Sequence, residues 1–318
     1  MNETIAAIKE EISKVIIGKG EVIEKVLMAI LAGGHVLLED VPGVGKTTLA
    51  LAFSRALALD YRRIQFTPDT MAGDVLGFSV YNKEKGELEY KKGAVFCNLL
   101  LADEINRTSP KTQSALLEAM EEKRVTVDGI TRPLPVPFVC IATQNPLGSA
   151  GTNKLPDSQL DRFMIRLTMG YPTEDEQIEI IRRRRKQNPL DHVRSIVTLD
   201  DLTAMKQQAA DRLVNDDVVR YATQLCERTR EKEEIAQGVS PRAVIALIQM
   251  AMARAFVQDR DYVIPEDVRV LFSDVCGHRI VLTARSKVHH LEERELLADI
   301  LQEVEAPPMT PPDMAVGS

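Results

Sequence analysis

Eight consecutive residues, Asp40-Val41-Pro42-Gly43-Val44-Gly45-Lys46-Thr47, combine two glycines, a lysine and a hydroxyl at a spacing suited to holding phosphate. Gly43 and Gly45, with Val44 between them, let backbone N–H groups converge on phosphate oxygens at a helix N-terminus. Lys46 is placed to reach the β and γ phosphates of a nucleotide, and the Thr47 hydroxyl to ligate Mg²⁺, with Thr48 as a further nucleotide contact. The strict pattern has glycine where this chain has Asp40. Further on, four apolar residues, Leu99-Leu100-Leu101-Ala102, deliver two carboxylates, Asp103 and Glu104. Asp103 would hold Mg²⁺ through its water shell, and Glu104 would orient and deprotonate an attacking water. Either stretch alone has a plain structural reading, a glycine-rich turn or an acidic strand end. Together they predict ATP and Mg²⁺ as cofactors of a hydrolytic site.

These residues need particular elements to position them. The run His35-Val36-Leu37-Leu38 predicts a buried strand before the glycine turn, and Thr47 to Ala58 a helix after it. Arg63 to Phe66, Leu99 to Ala102, Phe138 to Ala142 and Phe163 to Leu167 predict four more strands. Ser109-Pro110 starts a helix running to about Glu122, with proline tolerated at the first position. Strands apolar on both faces that alternate with helices predict a five-stranded parallel sheet between helices. In such sheets ligands bind at the C-terminal ends of the strands, where both motifs fall. Phe78 to Tyr90 predicts a polar strand-turn-strand, and Val125-Thr126-Val127 before Asp128-Gly129 a hairpin. After Tyr171-Pro172 helical patterns take over, as in the helix from Ser240-Pro241. The division that follows is an α/β core over residues 1–190, an all-α lid over 191–305, and a disordered tail rich in proline over 306–318.

Composition narrows the functional classes. The chain has 318 residues, a net charge of −7, 4% aromatics and no Trp, which disfavours a base-stacking or broadly cationic nucleic-acid surface. Four well-separated cysteines with no CxxC pair predict buried thiols rather than a zinc site or a disulfide framework. Cys276 beside His278 is too few ligands for a metal. The N-terminus opens on an amphipathic helical pattern instead of a signal peptide, and no apolar stretch is long enough to span a membrane, so a cytoplasmic location is expected. The basic run Arg182 to Lys186 follows Glu174, Glu176 and Glu179 on one helical segment, which predicts a solvated or intersubunit charged face.

Asp103-Glu104 followed by Ile105-Asn106-Arg107, and the stretch from Pro110 to Met120, resemble the Walker B region of MoxR-family AAA+ ATPases, and the likeness extends from Ile16-Ile17-Gly18 to Gly277-His278-Arg279-Ile280. The resemblance implies an AAA+ core with a helical lid. It implies that Ile17 and Gly18 line the adenine pocket and that Asn145 is sensor 1, helping to place the lytic water. It implies that Arg162 is an arginine finger reaching a neighbouring subunit's γ-phosphate and that Arg242 is sensor 2 in the lid. The family usually shows an aromatic after the Gly151-Thr152 position, where this chain has Asn153. The two predicted hairpins resemble the helix-2 and pre-sensor-1 inserts of the magnesium chelatase and MCM branches.

The resemblance further implies a homo-oligomeric ring, with a hexamer as the family expectation. It implies chaperone-like remodelling, assembly or metal-cofactor insertion in a protein client, alongside a partner with a von Willebrand factor A domain. Two other readings stand beside it: a nucleic-acid motor, disfavoured by the acidic charge, and a nucleotide-gated scaffold with slow turnover, disfavoured by the intact Lys46, Asp103, Glu104 and Arg162 set.

Overall fold

The computed structural model describes residues 2–145, 153 and 155–308. Gly151-Thr152 and residues 309–318 of the expected tail lie outside the described residues. The strands, in chain order, are β1 (Val36–Glu39), β2 (Tyr61–Gln65), β3 (Gly77–Asn82), β4 (Glu87–Lys92), β5 (Leu99–Asp103), β6 (Arg124–Val127), β7 (Ile130–Pro133), β8 (Val139–Gln144), β9 (Ile165–Leu167), β10 (Ile235–Gln237) and β11 (Val281–Leu282). Five of them form the predicted parallel sheet in the order β2-β5-β8-β1-β9.

The alternation of side chains along these strands builds two apolar layers. Val36, Leu38, Leu99, Leu101, Val139 and Ile141 face one layer, and Leu37, Leu100, Ala102, Cys140 and Ala142 the other. The first layer is covered by the helices Glu3–Ser13, Gly20–Leu31 and Lys46–Ala56. It is continuous with the lid helices Leu199–Ala210, Asp216–Glu231, Pro241–Val257 and Pro265–Cys276. Core and lid therefore share one hydrophobic core, and the Asn2 N–H also donates to the Val257 carbonyl at 3.3 Å. The second layer carries Phe66, Leu116, Leu117, Phe138 and Phe163. The lid is helical apart from the antiparallel ribbon of β10 and β11.

Both hairpins form, β3 with β4 and β6 with β7. Asp128 and Gly129 take φ of 53° and 73°, the pair of left-handed residues that a two-residue turn between twisted strands requires. The Arg132 guanidinium stacks 3.8 Å from the Tyr90 ring centroid, so the two inserts touch. The helix after Ser109 runs Pro110–Glu122 as expected, and the Ser109 hydroxyl accepts from the Thr112 N–H.

Candidate active site at the C-terminal edge of the sheet

β1 ends in the glycine turn, and the helix Lys46–Ala56 starts from it with Gly45 as its N-cap and no capping side chain. The free N–H groups of its first turn are left for a ligand. Gly43 and Gly45 hold φ of 88° and 102°, which a side chain would strain, and a Cβ on Gly43 would meet nothing within 4 Å. Lys46 Nζ donates to the Asp40 and Val41 carbonyls at 2.7 and 3.0 Å. Burial draws the Lys46 pKa below its ordinary value, against the pull of Asp40, Asp103 and Glu104.

Asp40 explains itself here. Its buried carboxylate accepts from the Val41 N–H at 2.9 Å and from the Met169 and Gly170 N–H groups at 2.7 Å each. It ties the start of the glycine turn to the chain leaving β9, a tie that glycine could not make.

A cavity of about 370 Å³ gathers Lys46, Thr47, Thr48, Asp103, Glu104, Thr143 and Asn145. The Thr143 hydroxyl donates to Asp103 Oδ1 at 2.7 Å and accepts from the Glu104 N–H at 2.9 Å, fixing both carboxylate residues from β8. Asp103 Oδ2 pairs with Arg63 at 2.7 Å, and Glu104 Oε2 accepts from Gln65 and Arg107, each at 2.9 Å. Asn145 lies at the end of β8, and its carbonyl accepts from Asn106 Nδ2. A second cavity of about 390 Å³ opens beside the first, lined by Ile16, Ile17, Gly43, Val44, Gly45, Thr48, Met169, Tyr171 and Ile180. Gly18 adjoins it with φ 72°, in space where a Cβ would strike the Glu176 carboxylate. A slot with an apolar wall and polar side chains at Gln177, Arg183, Arg184 and Asn188, beside the glycine turn, suits a purine base.

Arg162 and Arg242 are not brought to these cavities. Arg162 precedes β9, so it lies at the N-terminal edge of the sheet, opposite the glycine turn that follows β1. Its Nε pairs with Glu121 Oε2 at 2.8 Å, and Arg242 Nη2 pairs with Glu121 Oε1 at 2.6 Å. Glu121 ends the helix that starts beside Glu104, ~18 Å of helix away. The sensor-2 expectation for Arg242 is therefore not met toward its own chain's glycine turn; the lid docks its first turn on the far edge. Other lid residues grip the segment carrying Arg162. Arg279 donates to Asp161 Oδ1 at 2.8 Å and to the Phe163 carbonyl at 2.7 Å. Ser240 donates to Asp161 Oδ2 at 2.9 Å, and His278 Nε2 meets the Phe163 carbonyl at 2.9 Å.

Comparison with known proteins agrees with this architecture. Residues 35–165 match the ATPase family associated with various cellular activities, and residues 227–303 match the AAA lid domain. The chain is 39% identical to Chaperone MoxR1 of Mycobacterium tuberculosis, over 93% of this chain and 81% of that protein. It belongs to the MoxR family of AAA+ ATPases. YeaC, an uncharacterised protein of Bacillus subtilis, is 43% identical over 94% of this chain and 93% of its own length. A solved crystal structure from Cytophaga hutchinsonii superposes with a TM-score of 0.90 at 38% identity, covering 96% of this chain and 95% of the other.

In this MoxR-family chain Arg63, Gln65 and Thr143 line the cavity of about 370 Å³ or hold its carboxylates, and sequence reasoning did not single them out. Arg183 and Arg184, read from sequence as part of a solvated or intersubunit charged face, line the cavity of about 390 Å³, and Arg184 lines that of about 370 Å³ as well. Arg183 also pairs with Glu179 at 2.7 Å and donates to the Lys14 carbonyl at 2.8 Å. The Thr47 hydroxyl and the Asp103 carboxylate, hard oxygens lining the same cavity as the glycine turn, are the donors that a metal would take here. That set fits Mg²⁺, which is commonly held by one or two carboxylates together with substrate phosphates. Cys276 and His278 are buried among core residues, and burial holds His278 neutral, well below the usual imidazole range. Among the described residues no helix is long and apolar enough to cross a membrane.

Proposed function

We propose that this AAA+ ATPase hydrolyses Mg²⁺-bound ATP at sites completed between subunits of a homo-oligomeric ring, hexameric by family analogy. The observation that carries this reading is the separation of Arg162 from the glycine turn by the full height of the sheet. One edge offers the phosphate cradle and the carboxylates, the other offers cationic side chains, and a head-to-tail ring brings unlike edges together.

Within such a site Lys46 and the N-terminus of the helix Lys46–Ala56 hold the β and γ phosphates. Ile17 and Gly18 border the base, and Thr47 and Asp103 hold the metal. Mg²⁺ neutralises charge on the phosphate oxygens when bound. Glu104 takes a proton from water as its oxygen bonds to the γ phosphorus, and Asn145 orients that water. The bond from the γ phosphorus to the β–γ bridging oxygen breaks, and ADP leaves with the electron pair. Arg162 of the neighbour stabilises the charge that develops, a role worth ~10³–10⁵ in rate in related phosphoryl transfers.

We infer that hydrolysis drives chaperone-like remodelling or assembly of a protein client in the cytoplasm, including insertion of a metal cofactor, with a von Willebrand factor A domain protein as partner. The relative named Chaperone MoxR1 supports the chaperone part. The net charge of −7 and the 4% aromatic content favour a protein client over nucleic acid. The test is specific ATPase activity against protein concentration. Activity per subunit that rises with concentration supports composite sites; activity independent of concentration down to the monomer refutes them.

A further inference from the structure

We propose that Glu121 is a positioning residue that assembles Arg162 from the core and Arg242 from the lid into one paired cation for the neighbouring subunit's nucleotide. The proposal rests on the composite-site reading above. Each oxygen of the Glu121 carboxylate takes a different arginine, at 2.8 and 2.6 Å. Two guanidinium groups brought this close repel one another, and a shared carboxylate offsets that repulsion. Glu121 also fixes which faces are presented. Among the described residues, Arg162 is ion-paired through Nε with Glu121 and donates Nη1 to Gln159, leaving Nη2, and Arg242 donates Nη2 to Glu121, leaving Nε and Nη1.

Both arginines border a cavity of about 530 Å³ lined also by Asp157, Asp161, Ser240 and Arg279. That opening has room for the phosphate end of a nucleotide held by another subunit. The arginine side chains keep 24% and 47% of their surface, so they are held and still reachable. Arg242 stands in the first turn of the lid helix Pro241–Val257 and Arg162 just before β9. Glu121 therefore makes the position of the finger depend on the position of the lid.

The test compares Glu121→Ala, Arg162→Ala, the double variant and Glu122→Ala in the full-length protein. Glu122 is the adjacent carboxylate, paired outward with Arg124 at 2.8 Å. Expected for Glu121→Ala is a fall in kcat of about tenfold with KM for ATP little changed, since the substrate's own cradle is untouched. The double variant is expected to be slower than Arg162→Ala by much less than the full Glu121→Ala effect, because Glu121 acts in large part through that arginine. Amide hydrogen exchange of the nucleotide-free protein is expected to quicken at residues 241–245 in Glu121→Ala and not in Glu122→Ala. If Arg162→Ala loses activity while Glu121→Ala keeps wild-type kcat and exchange, the positioning role is wrong and the composite site stands. A Glu121→Ala effect that adds fully to Arg162→Ala also overturns it. If Arg162→Ala itself keeps activity, the composite-site reading fails first and takes this proposal with it.

Discussion

At Glu104 the backbone turns left-handed, φ 56°, a conformation that costs a non-glycine residue ~1–2 kcal/mol. It is held there by the Thr143 hydroxyl, which takes the Glu104 N–H, while Gln65 and Arg107 meet the carboxylate. The strain aims one carboxylate into the phosphate cavity beside Asp103. Glu104→Gln keeps the shape and removes the base, so ATP should still bind while turnover falls by ~10²–10⁴. Nucleotide-binding titration beside single-turnover hydrolysis checks this, and unchanged turnover would show that another group takes the proton. His35 is a second residue whose surroundings make a prediction. Its Nδ1 accepts from the Cys140 N–H and its Nε2 meets the Met120 carbonyl, and burial lowers its pKa to about 4. Neutral in the fold, it takes a proton near pH 6.5 once unfolded. Its contribution to stability is therefore complete above about pH 6.5 and is lost as the pH falls toward about 4. Unfolding by urea should show a loss of ~2 kcal/mol between pH 8 and 5 from this residue, with His278 acting in the same direction. Stability that is flat or rises over that range would mean the two histidines are not buried neutral.

Among the elements, those with strong local signals were legible in the sequence. The inner strands β1, β5 and β8 read as apolar runs because both of their faces are buried. The β2 strand begins at Tyr61, ahead of the expected Arg63, since an edge strand carries polar side chains that break the run. The β10–β11 ribbon left no readable pattern, being three and two residues long. The glycine turn and the helix that follows it were legible because their signals are contiguous in sequence. The position of Arg242 was not, because the edge on which the lid docks is decided by packing between segments far apart in the chain. The same docking hides the role of Arg279, which is buried against Asp161 and the Phe163 carbonyl. Arg279→Ala leaves Asp161 without its main cation and should cost ~3 kcal/mol in thermal or urea unfolding, with ATPase activity falling as the Arg162 segment loosens. A loss under ~0.5 kcal/mol would show that the lid does not hold that segment.

For the whole molecule, one hydrophobic core runs from the N-terminal helices through the sheet into the lid. The glycine turn with Asp103 and Glu104 stands on one edge and Arg162 on the other, and an isolated subunit does not bring them together. The central claim is that each site draws its cradle from one subunit and its arginine from the next. The most direct test mixes Lys46→Ala subunits, which lack the cradle, with Arg162→Ala subunits, which lack the finger. Each is expected to be inactive alone, and the mixture to regain activity, because an intact cradle then faces an intact arginine in a share of the junctions. A mixture that stays as inactive as its components, while still assembling, would contradict the account.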